Sequence, residues 1–126
     1  MLGRRVCVAL AVEPIYLVIK DAALRSTLSA RLGLAGHSIV ALDDLDTLGA
    51  SRPASSGLFV IEAVLLPADR NDWVETLHPM VPPARCVVLA LGESGRQGTL
   101  TLIDRRGALP AIQQAIAQME ACQLDG

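Results

Sequence analysis

The sequence feature that most constrains the fold is one apolar run near the middle of the chain. Residues 58–61 read Leu-Phe-Val-Ile, with Gly57 directly before them and Pro67 a short distance after. A short apolar run of this kind, bounded by glycine and proline, predicts a strand buried on both faces. Such strands occupy the centre of a parallel sheet that helices cover on both sides. The run therefore predicts an α/β fold in which any site lies just past the carboxyl ends of the central strands.

Composition excludes several classes of protein. The 126 residues suffice for one domain with its own core, and 52% of them are hydrophobic, too many for a disordered chain. The net charge of −2 and the single Trp, Tyr and Phe argue against nucleic-acid binding. No apolar run approaches the ~20 residues of a membrane span. Three widely spaced cysteines predict neither a disulfide framework nor a metal site, so we expect a cytoplasmic protein without a cofactor.

Further apolar runs alternate with amphipathic segments along the chain. The predicted strands are residues 15–19, 38–42, 57–63, 86–91 and 99–103. The predicted helices are 22–34 with Asp21 as N-cap, a short one opened by Asp43 and Asp44, one opened by Asp72 and ended by Pro79, and a last one introduced by Pro110. Residues 1–14 are interpreted as an N-terminal arm or an extra edge strand, and residues 15–126 as the domain.

This alternation predicts a doubly wound, mostly parallel sheet of five strands in the flavodoxin-like order 2-1-3-4-5. The connection between Leu91 and Thr99 is too short for the fourth helix of such a fold, because it contains only seven residues. Either an extended loop replaces the helix, or the last two strands form an antiparallel hairpin. We favour the loop, because seven extended residues can run back along a short strand.

From about Ile15 to Cys122, the chain resembles the receiver domain of bacterial response regulators. Three stretches carry the resemblance: Tyr-Leu-Val-Ile-Lys-Asp-Ala-Ala-Leu-Arg at 16–25, Leu-Ala-Gly-His-Ser-Ile-Val at 34–40, and the central strand followed by Pro67. The resemblance implies the flavodoxin-like fold and a place in two-component signal transduction. It also implies a phosphorylation site at the carboxyl ends of the strands.

The residues that the family needs for phosphoryl transfer are missing from the positions that correspond to them. The acid pair that would hold Mg²⁺ falls on Ile19 and Lys20, and the phosphate acceptor on Ala63. The hydroxyl position falls on Ala90, and the lysine position on Asp104 or its neighbour. Asp21 matches a third acidic position, and Glu62 lies one residue before the acceptor position, where strand geometry turns it to the opposite face. We therefore expect a pseudo-receiver with no catalytic and no metal-binding residues.

Two residues of this degenerate pocket carry charges opposite to those that the family has at the same positions. Lys20 stands where an acid is expected, and Asp104 stands where a lysine is expected. One interpretation is a direct ion pair between them that closes the former pocket. The alternative is that both groups are solvated at a loop edge, where an ion pair contributes only about 0–1 kcal/mol.

The missing helix and the last helix together suggest an interaction surface. We expect apolar sheet surface that the fourth helix would cover to be exposed, and exposed apolar surface commonly binds a partner. The last helix carries few charges on its outer side. The candidate surface consists of Leu100, Leu102, Gln113, Gln114 and Gln118.

These features favour a phosphorylation-independent interaction or dimerisation module of bacterial signalling or transcription regulation. We expect a homodimer with a protein partner. The rival interpretation is a small-ligand sensor that binds at the carboxyl ends of the strands, among Lys20, Asp21, Ala63, Ala90 and the glycine-rich loop 92–98. The absence of a recognisable nucleophile with a base makes an enzyme the weakest interpretation.

Overall fold

The computed structural model describes residues 14–50, 57–79, 85–92, 94–97 and 100–125, and these form an α/β fold with a six-stranded, mostly parallel sheet. The strands are β1 (Ile15–Val18), β2 (Ile39–Leu42), β3 (Leu58–Glu62), β4 (Cys86–Ala90), β5 (Gly95–Gln97) and β6 (Leu100–Asp104). The helices are α1 (Ala22–Leu34), α2 (Leu45–Ala50), α3 (Trp73–Leu77) and α4 (Ala108–Asp125). The α/β class is confirmed. The arm predicted at residues 1–14 lies, except for Pro14, outside the described residues.

The number of strands was predicted wrongly. The strands lie in the order β2-β1-β3-β4-β6-β5, and all neighbours are parallel except β5 and β6. The connection that was expected to be a loop contains β5, which pairs Arg96 with Thr101 on the outer edge of β6. The chain thus passes from β4 to the sheet edge at β5 before it enters β6. A hairpin return lets β6 lie parallel to β4 without a helical crossover.

The core has two halves, one on each face of the sheet. On one face, Leu28 and Leu32 of α1 pack with Ile112 and Ile116 of α4. On the other face, Trp73 and Leu77 of α3 pack with the second set of strand side chains, and the rings of Tyr16 and Phe59 stack 4.7 Å apart. All five residues of β3 are buried, which confirms the central strand predicted from its composition.

Both ends of α1 follow from local sequence. The Asp21 carboxylate accepts hydrogen bonds from the N–H groups of Ala23 and Leu24, which confirms the predicted N-cap. At the other end Gly36 has φ +101°, and the N–H of His37 bonds back to the Leu32 carbonyl. This is a Schellman ending, which favours glycine at the left-handed position. Asp72 was predicted to open the next helix, and it precedes α3, but its side chain makes no cap hydrogen bond.

Candidate functional site

Three connections meet at the carboxyl edge of the sheet. Residues 19–21 lead from β1 into α1, Glu62 ends β3, and residues 105–107 lead from β6 into α4. Because β1, β3 and β6 run in the same direction, their carboxyl ends lie at one edge. The charged side chains that follow these strands are thereby brought together although the sequence separates them by more than 40 residues.

Glu62 is the buried charged residue at this edge, with 3% of its surface exposed. Its Oε1 accepts hydrogen bonds from the backbone N–H groups of Lys20 (2.9 Å) and Asp21 (3.2 Å). Its Oε2 accepts a hydrogen bond of 2.8 Å from Nη1 of Arg105. A buried carboxylate requires such partners, because desolvation of an unpaired charge costs several kcal/mol. Glu62 therefore ties the β1–α1 connection to the end of β3.

Arg105 joins Glu62 to a second carboxylate. Its Nη2 donates to Oδ2 of Asp21 at 2.6 Å, while the other oxygen of Asp21 caps α1. The cap hydrogen bond from the Leu24 N–H and the hydrogen bond from Arg105 hold the pKa of Asp21 below its usual range. We call Asp21, Glu62 and Arg105 the ion triad. With two acids and one base, the ion triad carries a net charge of −1 when all three groups are ionised.

The ion triad is internally satisfied. Each of the four carboxylate oxygens accepts at least one hydrogen bond from the protein. The guanidinium lies between the two carboxylates, where its charge opposes the approach of a cation to either one. The arrangement links three connections of the sheet without any external ion.

The remaining residues of the predicted pocket lie at the same edge but do not form one cluster. Ile19 and Ala90 are buried, Ala63 is partly buried at the start of a 3₁₀ turn, and the Lys20 side chain is exposed. Of the predicted set, Asp21 alone enters the ion triad. The side chains that interact at this edge are therefore mostly different from those predicted.

The direct ion pair between Lys20 and Asp104, one of the two interpretations above, is not formed. Asp104 pairs with Arg106 at 2.8 Å and accepts a hydrogen bond from the Gly92 N–H. The local contacts from Arg106 hold the pKa of Asp104 well below its usual range. Arg106 lies two residues after Asp104 in the turn that Asp104 caps, which holds its guanidinium within reach of that carboxylate. Within the described ranges, Lys20 makes no ion pair.

Sequence reasoning missed the two residues at the centre of the ion triad. Glu62 was set aside because a strand residue before the edge points to one face, but it is the last residue of β3, and its long side chain reaches past the strand end. Arg105 entered the sequence analysis only as the unnamed neighbour of Asp104. The available signal was chemical: a lone glutamate ending a fully buried strand requires a basic partner, and arginine suits a shared pair of carboxylates.

An open pocket of about 290 Å³ adjoins the ion triad. Glu62 and Arg105 form its polar part, and four apolar residues complete the lining: Ala63, Val64, Leu89 and Leu91. Leu91 was predicted to end the fourth strand in the core, but it follows β4 and is 73% exposed. Val64 is 65% exposed. The pocket therefore has an apolar wall that faces solvent.

The candidate interaction surface is only partly accessible. Leu100 and Leu102 are buried, with 0% and 5% of their surface exposed, so the expectation that they form exposed apolar surface is wrong. They pack in the core cluster that contains Trp73 and Leu77. The glutamine side chains on α4 are exposed, namely Gln113, Gln114 and Gln118.

In the described part of the chain, no three His, Cys, Asp or Glu residues are grouped as metal ligands. None of the helices described is long and apolar enough to span a bilayer. Comparison with protein-family models, with curated proteins and with solved structures gave no match to this chain.

Proposed function

We propose that this chain is a receiver-like regulatory domain that acts through protein contacts and without phosphoryl transfer. The sequence resemblance suggests the receiver family and the flavodoxin-like arrangement, and β5 is then an addition at the sheet edge. The partners we propose are a second copy of the chain and a further protein of a bacterial signalling or transcription-regulating pathway.

The ion triad is the observation that carries this proposal. A receiver that accepts phosphate needs a free carboxylate at the end of its central strand and acids that hold Mg²⁺ beside it. Here the carboxylate at that place is Glu62, and its two oxygens already accept three hydrogen bonds. Arg105 supplies a fixed positive charge between Glu62 and Asp21. The arrangement favours carboxylates that are held by protein donors over carboxylates that are free to react.

Exposure to a phosphoryl donor tests this part of the proposal. The protein is incubated with Mg²⁺ and acetyl phosphate beside a conventional receiver domain, and both are followed by intact mass spectrometry. We expect a phosphoryl adduct on the conventional receiver alone. An adduct on Glu62 or Asp21 of this chain, located by peptide mapping, would disprove the proposal.

The outer surface of α4 is the proposed dimer contact. Residues 108–118 contain no charged side chain, and Gln113, Gln114 and Gln118 are exposed. Glutamine both donates and accepts hydrogen bonds, so two copies of this surface can pair around a two-fold axis. The absence of charge removes the repulsion that like charges would cause between copies.

Light scattering across a concentration series measures this association. We expect a dimer for the natural chain and a shift toward monomer for Gln114→Glu, which puts like charges opposite each other at the contact. Thr27→Glu, at an exposed position of α1, is the matched control and leaves the dimer intact. A strictly monomeric natural chain at the highest concentration would contradict the dimer.

The pocket beside Arg105 favours one alternative, a small-ligand sensor. Its apolar wall and single guanidinium suit a small molecule with an apolar body and one hydrogen-bond acceptor. Native mass spectrometry of protein purified from its host distinguishes the two functions. A small molecule that stays bound to the natural chain and is lost from Arg105→Met would establish the sensor. A natural chain that carries no small molecule supports the domain that acts through protein contacts.

A further inference from the structure

We propose that the pocket beside the ion triad binds a small neutral amide, either a primary amide or a lactam. Its amide group lies on Glu62 and Arg105, and its aliphatic body lies against Val64 and Leu91. The proposal rests on the small-ligand alternative above, for which it names the class of ligand. It does not involve the α4 surface, so the protein contacts are tested separately.

The charged groups of the pocket neutralise each other. The described residues of the lining include one acid, Glu62, and one base, Arg105, and their side chains pair at 2.8 Å. Arg105 also pairs with Asp21, so its positive charge is shared between two carboxylates. The Lys20 side chain is exposed and is not among the described residues of the lining. An anion finds no uncompensated positive charge here, and a cation meets the guanidinium, so a neutral ligand is favoured.

Both members of the pair retain hydrogen-bonding capacity. Oε1 of Glu62 accepts two hydrogen bonds from backbone N–H groups, whereas Oε2 accepts one, from Arg105. A carboxylate oxygen has two lone pairs, so Oε2 can accept from a further donor. Arg105 donates from Nη1 and Nη2 to the two carboxylates, and its guanidinium has further N–H groups that these bonds do not use. The pair therefore offers an acceptor and a donor on adjacent atoms.

A primary amide or a lactam matches these two groups. Its N–H and its carbonyl oxygen lie on the same side of one planar group, so the N–H can donate to Glu62 while the oxygen accepts from Arg105. A ketone offers the acceptor alone. A carboxylate has no donor and adds a negative charge beside Glu62. Since both protein groups are ionised, the hydrogen bonds to an amide are of the stronger, charge-assisted kind.

The rest of the pocket favours a small aliphatic body. Val64 and Leu91 are two of the three large hydrophobic side chains that are exposed in the described part of the chain, and both line the pocket. A ligand that covers them removes apolar surface from water. The volume of about 290 Å³ is near the lower limit of small-molecule sites, and the described lining contains no aromatic side chain on which a ring could stack. A short, branched aliphatic chain fits these features.

The test compares three molecules with the same carbon skeleton: isovaleramide, isovalerate and 4-methyl-2-pentanone. Each is titrated into the full chain at neutral pH and followed by ¹H–¹⁵N NMR at the backbone amides of Glu62, Val64 and Leu91 and at the Nε–H of Arg105. We expect isovaleramide to shift these signals with a dissociation constant on the order of millimolar, as befits so small a ligand. It should bind about tenfold more tightly than the anion or the ketone, which each lack the amide donor.

Two pairs of variants locate the binding site. Leu91→Ser removes part of the apolar wall at an exposed position and leaves the ion triad in place, so isovaleramide should bind about fivefold more weakly. Leu34→Ser, at an exposed leucine outside the described lining, is the matched control and should not change the affinity. Arg105→Met should abolish binding, whereas Arg106→Met, at an arginine that pairs with Asp104, should retain it.

Three results would overturn the proposal. The first is the absence of any shift with isovaleramide. The second is isovalerate or the ketone binding as tightly as the amide, which would keep a small-ligand function but exclude the amide class. The third is an affinity for isovaleramide that Leu91→Ser leaves unchanged, which would place the amide elsewhere on the chain. The protein-contact function is judged by the phosphoryl-donor and light-scattering experiments alone.

Discussion

Arg105 is the residue whose removal most directly tests the ion triad. Arg105→Met retains the aliphatic part of the side chain and deletes the charge, which leaves the Glu62 carboxylate buried and short of a partner. Breaking a buried pair costs about 3–5 kcal/mol, and the partial exposure of Arg105 reduces the expected loss to about 2 kcal/mol. Urea unfolding measures the loss.

Two companion variants show whether the loss comes from the ion triad. Arg106→Met removes a neighbouring arginine that is largely exposed and pairs only at the surface, so its effect should be much smaller. Glu62→Gln in the Arg105→Met chain removes the unpaired charge and should recover part of the stability. Equal losses for Arg105→Met and Arg106→Met would contradict the importance of the triad.

Acid should destabilise the protein through Asp21 and Asp104. Hydrogen bonds lower the pKa of each carboxyl in the folded chain, from Leu24 and Arg105 for Asp21 and from Arg106 for Asp104. An acid whose folded pKa is depressed contributes stability that is complete above its unfolded pKa of about 3.9 and is lost as the pH falls through the folded pKa. We expect the free energy of unfolding to be flat above about pH 5 and to decline below about pH 4. The Asp21→Asn, Asp104→Asn double variant should decline less steeply in urea titrations at each pH.

Among the elements, the contact between β1 and β3 depends on Gly57. A Cβ at this position would lie 2.5 Å from the Pro14 carbonyl oxygen and 2.9 Å from a Tyr16 ring carbon. Since the first of these is backbone, Gly57→Ala must displace one strand against the other and should cost about 1–3 kcal/mol. Gly33→Ala on α1 meets no atom and should stabilise by about 0.5–1 kcal/mol. Thermal unfolding of both variants measures this difference. Equal changes in Tm for Gly57→Ala and Gly33→Ala would contradict the prediction.

Local sequence patterns were sufficient to predict some elements of the fold but not all of them. The β1, β2 and β3 strands, the N-cap of α1 and its Gly36 ending were predictable because each follows from periodicity or cap chemistry within a few residues. The strand β5 was not predictable. Gly95-Arg96-Gln97 has no apolar alternation, and it forms a strand only because β6 offers it an open edge.

For the whole molecule, Cys86 is a probe of global unfolding. It lies in β4, next to the central strand β3, and burial raises the pKa of its thiol to about 12. The reactive thiolate is therefore scarce and shielded in the folded chain. In a Cys7→Ser, Cys122→Ser chain, we expect iodoacetamide to label Cys86 at a rate that rises with urea in parallel with global unfolding. Rapid labelling without denaturant, measured by mass spectrometry, would show that β4 opens locally instead.

The sequence by itself determined which segments are buried, since apolar runs and cap residues act over short distances. It predicted the α/β class and the central position of β3. Only the tertiary structure decided which charges meet at the carboxyl edge of the sheet, because Asp21, Glu62 and Arg105 are brought together by the parallel order of β1, β3 and β6. It also decided that Leu100 and Leu102 are buried while Leu91 is exposed. Burial at strand ends depends on neighbouring elements, and local sequence does not contain that information.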